Sequence, residues 1–296
     1  MTEPGPPRLR VGVIGAGRVG AVLGAALRRA GHQLVAVSAV SDVSRLRADA
    51  LLPGVPIVAV PEVISDVDLV LVAVPDDALP GLIAGLAETG NVRPGQFWCH
   101  PAGRFGTEVL DPVTRLGGLP LALHPVMTFT GTSLDLVRLS DCPFGVTAPD
   151  VLRPVAEALV VEMGGEPFWV PEEHRTTYHA ALAYGSNFLI TLVAQCIELL
   201  ESAGIAEPQR LVAPLLGASL DNALRLGDQA LTGPVARGDA ASVAAHVAAI
   251  DALSPEAAVG YRALARLTAD RAVGAGVLRP RDAEALLEVL GEGKGR

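Results

Sequence analysis

Gly15, Gly17 and Gly20 stand in a Gly-x-Gly-x-x-Gly array between the apolar run Val11–Ile14 and the alanine-rich stretch Ala21–Ala30. A strand that turns through such glycines into a helix can hold a pyrophosphate. The first glycine permits the tight turn, the second lets the backbone approach the phosphate, and the third lets helix and strand pack closely. The helix N-terminus adds unsatisfied N–H donors and the positive end of a dipole. Arg18 and Val19 therefore join the glycines as candidate dinucleotide-binding residues. A glycine turn without function can be spelled the same way; the strand before, the helix after and a second strand from Leu34 favour the phosphate loop.

The tip of that second strand bears on cofactor choice. An acid there would hold the ribose hydroxyls of NAD, whereas hydroxyl and basic groups would accept the extra phosphate of NADP. Ser38, Ser41 and Arg45 stand there with no acid at the tip itself, which points to NADP with NAD as the alternative. In the competing reading Asp42 caps the next helix and Arg45 is only a solvated surface residue.

Ligands of an open parallel sheet sit beyond the carboxyl ends of its strands. Val74 and Pro75 follow the strand Leu69–Ala73 and are expected to wall the nicotinamide ribose, while Asp76 and Asp77 read as the N-cap of the following helix. His100 ends the next strand and His124 the one after. An imidazole near its ordinary pKa gives or takes a proton at neutral pH. That makes His124 the candidate proton donor and His100 a candidate substrate contact, the alternative for each being a turn-former bonded to backbone. Farther on, His179, Ala183 and Asn187 recur at one-turn spacing along a helix, so His179 and Asn187 share a face that needs partners or a cleft. Arg237, in the loop Leu231–Asp239, offers a planar fork suited to a carboxylate, or else pins that loop.

The elements that must position these groups follow from the alternation of short β-branched runs with alanine-rich stretches up to Val170. Strands are expected at Leu9–Ile14, Leu34–Ser38, Ile57–Val60, Leu69–Ala73, Gln96–His100, Leu119–His124, Phe144–Thr147 and Pro167–Val170, making a doubly wound α/β parallel sheet over residues 8–170. Residues 171–296 are expected to be all helical, beginning with one long helix that ends at Gly204. Half of the 296 residues are apolar and 19% are charged, enough for two packed domains. A net charge of -9 without a basic stripe argues against a nucleic-acid partner. The segment Phe188–Leu200 is too short and too polar to span a bilayer, so no membrane partner is expected. Cys99, Cys142 and Cys196 are scattered and odd in number, which fits free thiols in the cytoplasm rather than disulfides or a metal site.

Taken together, these residues resemble the Rossmann-like proteins that carry the C-terminal domain of unknown function 2520, within the β-hydroxyacid dehydrogenase and pyrroline-carboxylate reductase superfamily. The resemblance runs from Arg10 to about Leu290. It is carried by Leu123-His124-Pro125 with Thr128-Phe129, by Ala181–Asn187 with Phe188-Leu189, and by Leu231–Asp239 with His246. It implies a nicotinamide-dependent reductase scaffold, dimeric through the helical domain. In hydroxyisobutyrate and ketopantoate reductase relatives, a lysine one helical turn before an asparagine donates the proton; aligned on Asn187 that position is Ala183, and the one lysine of the chain is Lys294 in the tail. The His124-Pro125 pair is similar to that of prephenate dehydrogenases, whose histidine contacts the reacting hydroxyl, whereas the usual serine of the His100 loop is replaced by Ala102.

The resulting expectation is an NADPH-linked homodimer reducing a small 2-oxo acid of the ketopantoate type. Val74 and Pro75 would flank the hydride, His124 would protonate the alkoxide with His179 as the alternative, Asn187 would orient the carbonyl, and Arg237 would hold the carboxylate. An imine reductase of the pyrroline-carboxylate reductase type and a non-catalytic NADP sensor are the rival expectations.

Overall fold

The computed structural model describes Arg8–Gly291; Lys294 and the tail before Arg8 lie outside the described residues. One seven-stranded sheet in the order β2-β1-β3-β4-β5-β6-β7 forms from β1 (Arg10–Ile14), β2 (Gln33–Ser38), β3 (Leu69–Val72), β4 (Phe97–His100), β5 (Leu119–Pro125), β6 (Pro143–Thr147) and β7 (Glu166–Trp169). Every neighbouring pair is parallel except β5 and β6. The link between those two carries only the short helix Leu134–Arg138 and makes no crossover, so β6 returns antiparallel. The expected strand at Ile57–Val60 does not form. Ile57 makes an isolated bridge to Val37, and Pro61 in the first turn starts a short helix at Val60–Val63.

Alternation along the strands supplies both faces with core. Val11, Val13, Leu69, Leu71 and Cys99 pack on one side, and Ile14, Val70, Val72 and Trp98 on the other. The principal helices beside the sheet are α1 (Arg18–Arg29), α2 (Asp42–Leu51), α3 (Leu79–Glu88) and α4 (Arg153–Glu162). Then come α5 (Arg175–Ser202), α6 (Pro208–Leu226), α7 (Ala240–Leu253), α8 (Pro255–Gly274) and α9 (Pro280–Leu290). Proline opens α6, α8 and α9, where its missing N–H costs nothing, and Gly204 past the end of α5 has the left-handed φ of +85°.

The chain divides into two compact units, the first up to Gly185 and the second from Ser186. This lies later than the expected boundary at Val170, because the opening turns of α5 pack on the sheet through Arg175. In the second unit Val243, Val247, Ala265, Ala269, Leu286 and Leu290 make a core of their own. By length and composition alone the helical stretch Glu172–Ser202 could cross a membrane, since it begins well before the apolar segment Phe188–Leu200. Its first turn is nevertheless tied to the sheet by hydrogen bonds.

Candidate functional site

Each glycine of the β1–α1 turn meets a different constraint. Gly15 has φ of +96°, and a Cβ there would lie 2.5 Å from the Ala73 carbonyl oxygen. A Cβ on Gly20 would overlap the Gly15 carbonyl oxygen and lie 2.7 Å from the Ala73 Cβ, so helix and strand touch through their backbones. Gly17 meets nothing within 4 Å. Gly17 is also the N-cap of α1 and no side chain caps that turn, so its N–H groups open on the space that a Cβ at Gly17 would fill. That cradle suits a pyrophosphate.

Ser38 does not reach outward. Its Oγ is buried and accepts the Gly15 N–H at 3.0 Å, so it shapes the loop instead of meeting a cofactor phosphate. Ser41, not Asp42, caps α2, accepting the Ser44 N–H at 3.2 Å. Arg45 lines a cleft of about 600 Å³ with Ser38, Val40, Val58 and Glu62. Arg18 and Arg47 converge on Gly131 in the loop after β5: a Cβ there would stand 3.0 Å from Arg18 Cγ and 2.5 Å from Arg47 Nε. Among the described residues, Arg18, Arg45 and Arg47 make no ion pair and no side-chain hydrogen bond, while Arg10, Arg93, Arg138 and Arg153 all pair with acids. Arg18, the first residue of α1, stands directly after the Gly17 cap, and an unpaired guanidinium is a ready partner for an anion.

Across the sheet, His124 lies on β5 with its Nδ1 2.8 Å from the Tyr178 hydroxyl. Its ring meets that of His179 edge to face at 5.9 Å. The backbone of Gly103 closes over this pair; a Cβ there would lie 2.5 Å from His179 Cδ2 and 3.0 Å from His124 Nε2. His124 Nε2 has no hydrogen-bond partner among the described residues. Beneath the pair, Arg175 is almost fully buried. Its Nε donates to Thr147 Oγ1 at 2.7 Å and its Nη2 to the carbonyls of Ala122 at 3.0 Å and Gly145 at 3.1 Å. Its Nη1 finds no partner among the described residues.

His100 belongs to the loop and not to the crevice. It is fully buried, its Nε2 donates to the Gly106 carbonyl at 2.8 Å, and its Nδ1 accepts the Ala102 N–H at 3.2 Å. With both nitrogens used on its own turn, it leaves nothing for a substrate. Glu172 holds the far end of this loop, accepting from the Thr107 N–H at 2.6 Å and its hydroxyl at 3.0 Å.

The electrostatics revise the expected chemistry of His124. Burial, assisted by the positive charge of Arg175 and by His179 and His100, pushes its imidazole down to about 4. Burial likewise pushes His100 down to about 4, its bond to Gly106 partly opposing. His124 is therefore a neutral ring at neutral pH and cannot act as a stored imidazolium acid. Burial raises the Tyr178 hydroxyl, opposed by Arg175 and by the nearby Gly145 backbone. Arg175 is lowered to about 10 by burial and stays charged.

Residues 2–125 match the Rossmann-like domain, and residues 142–268 match the domain of unknown function DUF2520. The chain carries a Rossmann-like domain followed by DUF2520. No curated protein matches the chain in sequence. Solved structures share its fold. The Bacteroides fragilis protein BF3122, provisionally named an NADP oxidoreductase, is 22% identical with a TM-score of 0.71 over 89% of this chain and 98% of its own. An imine reductase from Pseudomonas sp. is 18% identical with a TM-score of 0.67 over 92% of this chain and 99% of its own. A reductive aminase from Aspergillus terreus, solved with NADPH and ethyl-5-oxohexanoate, is 17% identical with a TM-score of 0.64 over 91% of this chain and 95% of its own.

The DUF2520 segment contributes residues that sequence reasoning missed. Arg175 and Tyr178 open α5 yet face the sheet, and Gly145 on β6 leaves room for the Tyr178 hydroxyl, which a Cβ would overlap. His179 stays beside His124, but Asn187 is exposed on the part of α5 that belongs to the second unit. Arg237 is exposed in the second unit and lines a cleft there with Thr232, Arg279 and Asp282. In the Rossmann-like segment, Val74 is half-buried and Pro75 exposed. Asp76 pairs with Arg104 at 3.6 Å instead of capping α3, whose N-cap is Ala78.

Proposed function

We propose that this protein is an NADPH-dependent oxidoreductase that reduces the C=O bond of a small 2-oxo acid. The observation that carries the reading is the open cradle at Gly17, followed directly by the unpaired Arg18, with the unpaired Arg45 lining the cleft at Ser38, whose Oγ accepts the Gly15 N–H. NADPH bound there would supply the hydride. The chain's own part is to hold the pyrophosphate on the first turn of α1, the extra phosphate on the arginines, and the substrate oxygen at His124 Nε2. Val74 and Pro75 wall the nicotinamide side in this reading.

The imine reading is favoured by one observation, the neutral state of His124, because an iminium needs no proton donor. Its fold neighbours include an imine reductase and a reductive aminase. Calorimetry with NADPH and NADH, followed by absorbance assays with 2-oxo acids and cyclic imines, tests the proposal. NADPH is expected to bind at least about tenfold, ~1.4 kcal/mol, tighter than NADH, with Arg45→Ala narrowing the gap. Equal affinity for the two would remove the arginine argument. Tight NADPH binding without turnover of either class would make the protein a sensor.

A further inference from the structure

We propose that the turn at residues 130–132, after β5, determines which nicotinamide dinucleotide the protein prefers. Gly131 gathers Arg18 and Arg47 into a clamp for the phosphate monoester that NADPH carries and NADH lacks, and Asp135 holds the turn in place. The inference rests on the reductase reading for its cofactor. It adds to that reading a segment that follows β5, although β3 and β4 separate that strand from β1 in the sheet. The Thr128-Phe129 pair leads directly into this turn and has no part in the site described so far.

Asp135 builds the turn. It is fully buried, its Oδ2 accepts the N–H groups of Thr130 at 2.8 Å and Gly131 at 2.7 Å, and its Oδ1 accepts the Thr130 hydroxyl at 2.9 Å. Three donors from two consecutive residues fix the backbone there in one orientation. Phe129 before the turn and Leu136 after it pack against the core that includes Val22, Leu23 and Leu27 of α1. Gly131 itself has φ of +79°, a left-handed conformation that a side chain would strain. A Cβ there would also collide with Arg47, 2.5 Å from Nε and 3.1 Å from Cδ. Glycine is therefore required twice, once by the backbone and once by the arginine laid against it.

The charges point to the ligand. Arg18 opens α1 directly after the Gly17 cap and is exposed, Arg47 is half-buried on α2, and among the described residues neither meets a carboxylate. Asp135, the acid of the turn, uses its oxygens on the turn's own donors and has Arg138, at 3.7 Å, as its ion-pair partner. Two cations drawn to one glycine repel each other, and an anion between them reverses the sign of that interaction. Guanidinium forks match phosphate oxygens in geometry as well as in charge. A terminal monoester carries a charge of about -1.5 to -2 at neutral pH, enough for two forks. A dinucleotide seated in the cradle has Arg18 beside its pyrophosphate. Arg47 adds the second fork where Gly131 leaves room for it.

Calorimetry on the full-length protein with NADPH and NADH reads the ratio of the two affinities, which a merely structural fault would not move. Arg47→Ala is expected to weaken NADPH binding at least about tenfold and to leave NADH binding at the parent value. Arg47→Lys, which keeps the charge and loses the fork, is expected to fall between. Gly131 and Asp135 act through Arg47 and are positioning residues. Gly131→Ala and Asp135→Asn are each expected to lower the ratio in the parent chain and to change it no further in the Arg47→Ala background. If either fails to fold, Arg47→Ala decides alone. An unchanged ratio in Arg47→Ala, or NADPH and NADH weakened equally, would overturn the clamp even where Arg45→Ala narrows the gap. Binding of both nucleotides with that unchanged ratio sinks only the clamp; failure of the parent protein to bind either would sink the reductase reading and the clamp with it.

Discussion

Alanine at Gly17 and alanine at Gly20 should have opposite consequences. Gly17 has φ of -67° and ψ of -171°, a region open to alanine, and nothing stands within 4 Å of the added methyl. Restricting the unfolded chain stabilises by about 0.4–1 kcal/mol, and exchanging glycine for alanine at an N-cap costs a similar ~1 kcal/mol or less. The two nearly cancel, so apo Gly17→Ala should melt within a few degrees of the parent. Its methyl nevertheless projects into the space where the pyrophosphate must approach the first turn of α1. Loss of direct N–H contacts there should weaken NADPH binding at least about tenfold, ~1.4 kcal/mol. At Gly20 the methyl meets the Gly15 carbonyl oxygen, a backbone atom that cannot rotate aside, and the Ala73 Cβ. Overpacking of that kind costs about 1–3 kcal/mol, several degrees of melting temperature. Thermal melting and calorimetry with NADPH measure both. Gly17→Ala binding as tightly as the parent, or Gly20→Ala melting with the parent, would refute the assignment of these glycines.

Stability should fall as pH drops through the window between the ordinary histidine value of 6.5 and about 4, where His100 and His124 stay neutral in the folded chain but protonate in the unfolded one. The unfolded state then binds more protons, so the stability present above pH 6.5 is lost on acidification, by up to roughly 3 kcal/mol for each ring; urea unfolding equally resistant at pH 7 and pH 5 would contradict this. The apolar face of the second unit should be covered by a second copy of the chain, since Phe188 and Ile190 on α5 and Leu215 and Leu224 on α6 are each more than half exposed. Sedimentation showing a monomer at micromolar concentration would exclude that.

The glycine loop was legible in the sequence because its physics is local: turn, cradle and helix start lie within one short segment. His124 was legible as a strand-end histidine for the same reason. Its protonation state was not, because the groups that set it come from elsewhere; Arg175 reaches Thr147, Ala122 and Gly145 across 28, 53 and 30 residues. Nothing in the local pattern distinguishes Arg175 from a solvated residue at the start of a helix. His100 was misassigned through the same limit, since its partners are carbonyl and amide groups that carry no residue-type signal. The false strand at Ile57–Val60 has a simpler origin. Its composition reads as β, but Pro61 placed in a first turn redirects the chain into a helix.

Arg175 links the fold to the choice of substrate. No carboxylate lies within ion-pair distance of it among the described residues; the nearby Glu172 is committed to the Thr107 backbone and hydroxyl. A buried cation held only by carbonyls and a hydroxyl is expensive to keep, because its desolvation is not offset by an opposite charge. What it leaves behind is a positive field at the end of β5, the same field that helps hold His124 neutral. A developing alkoxide gains from such a field, and a substrate that arrives as a cation loses by it. The guanidinium therefore disfavours a cationic group placed beside His124.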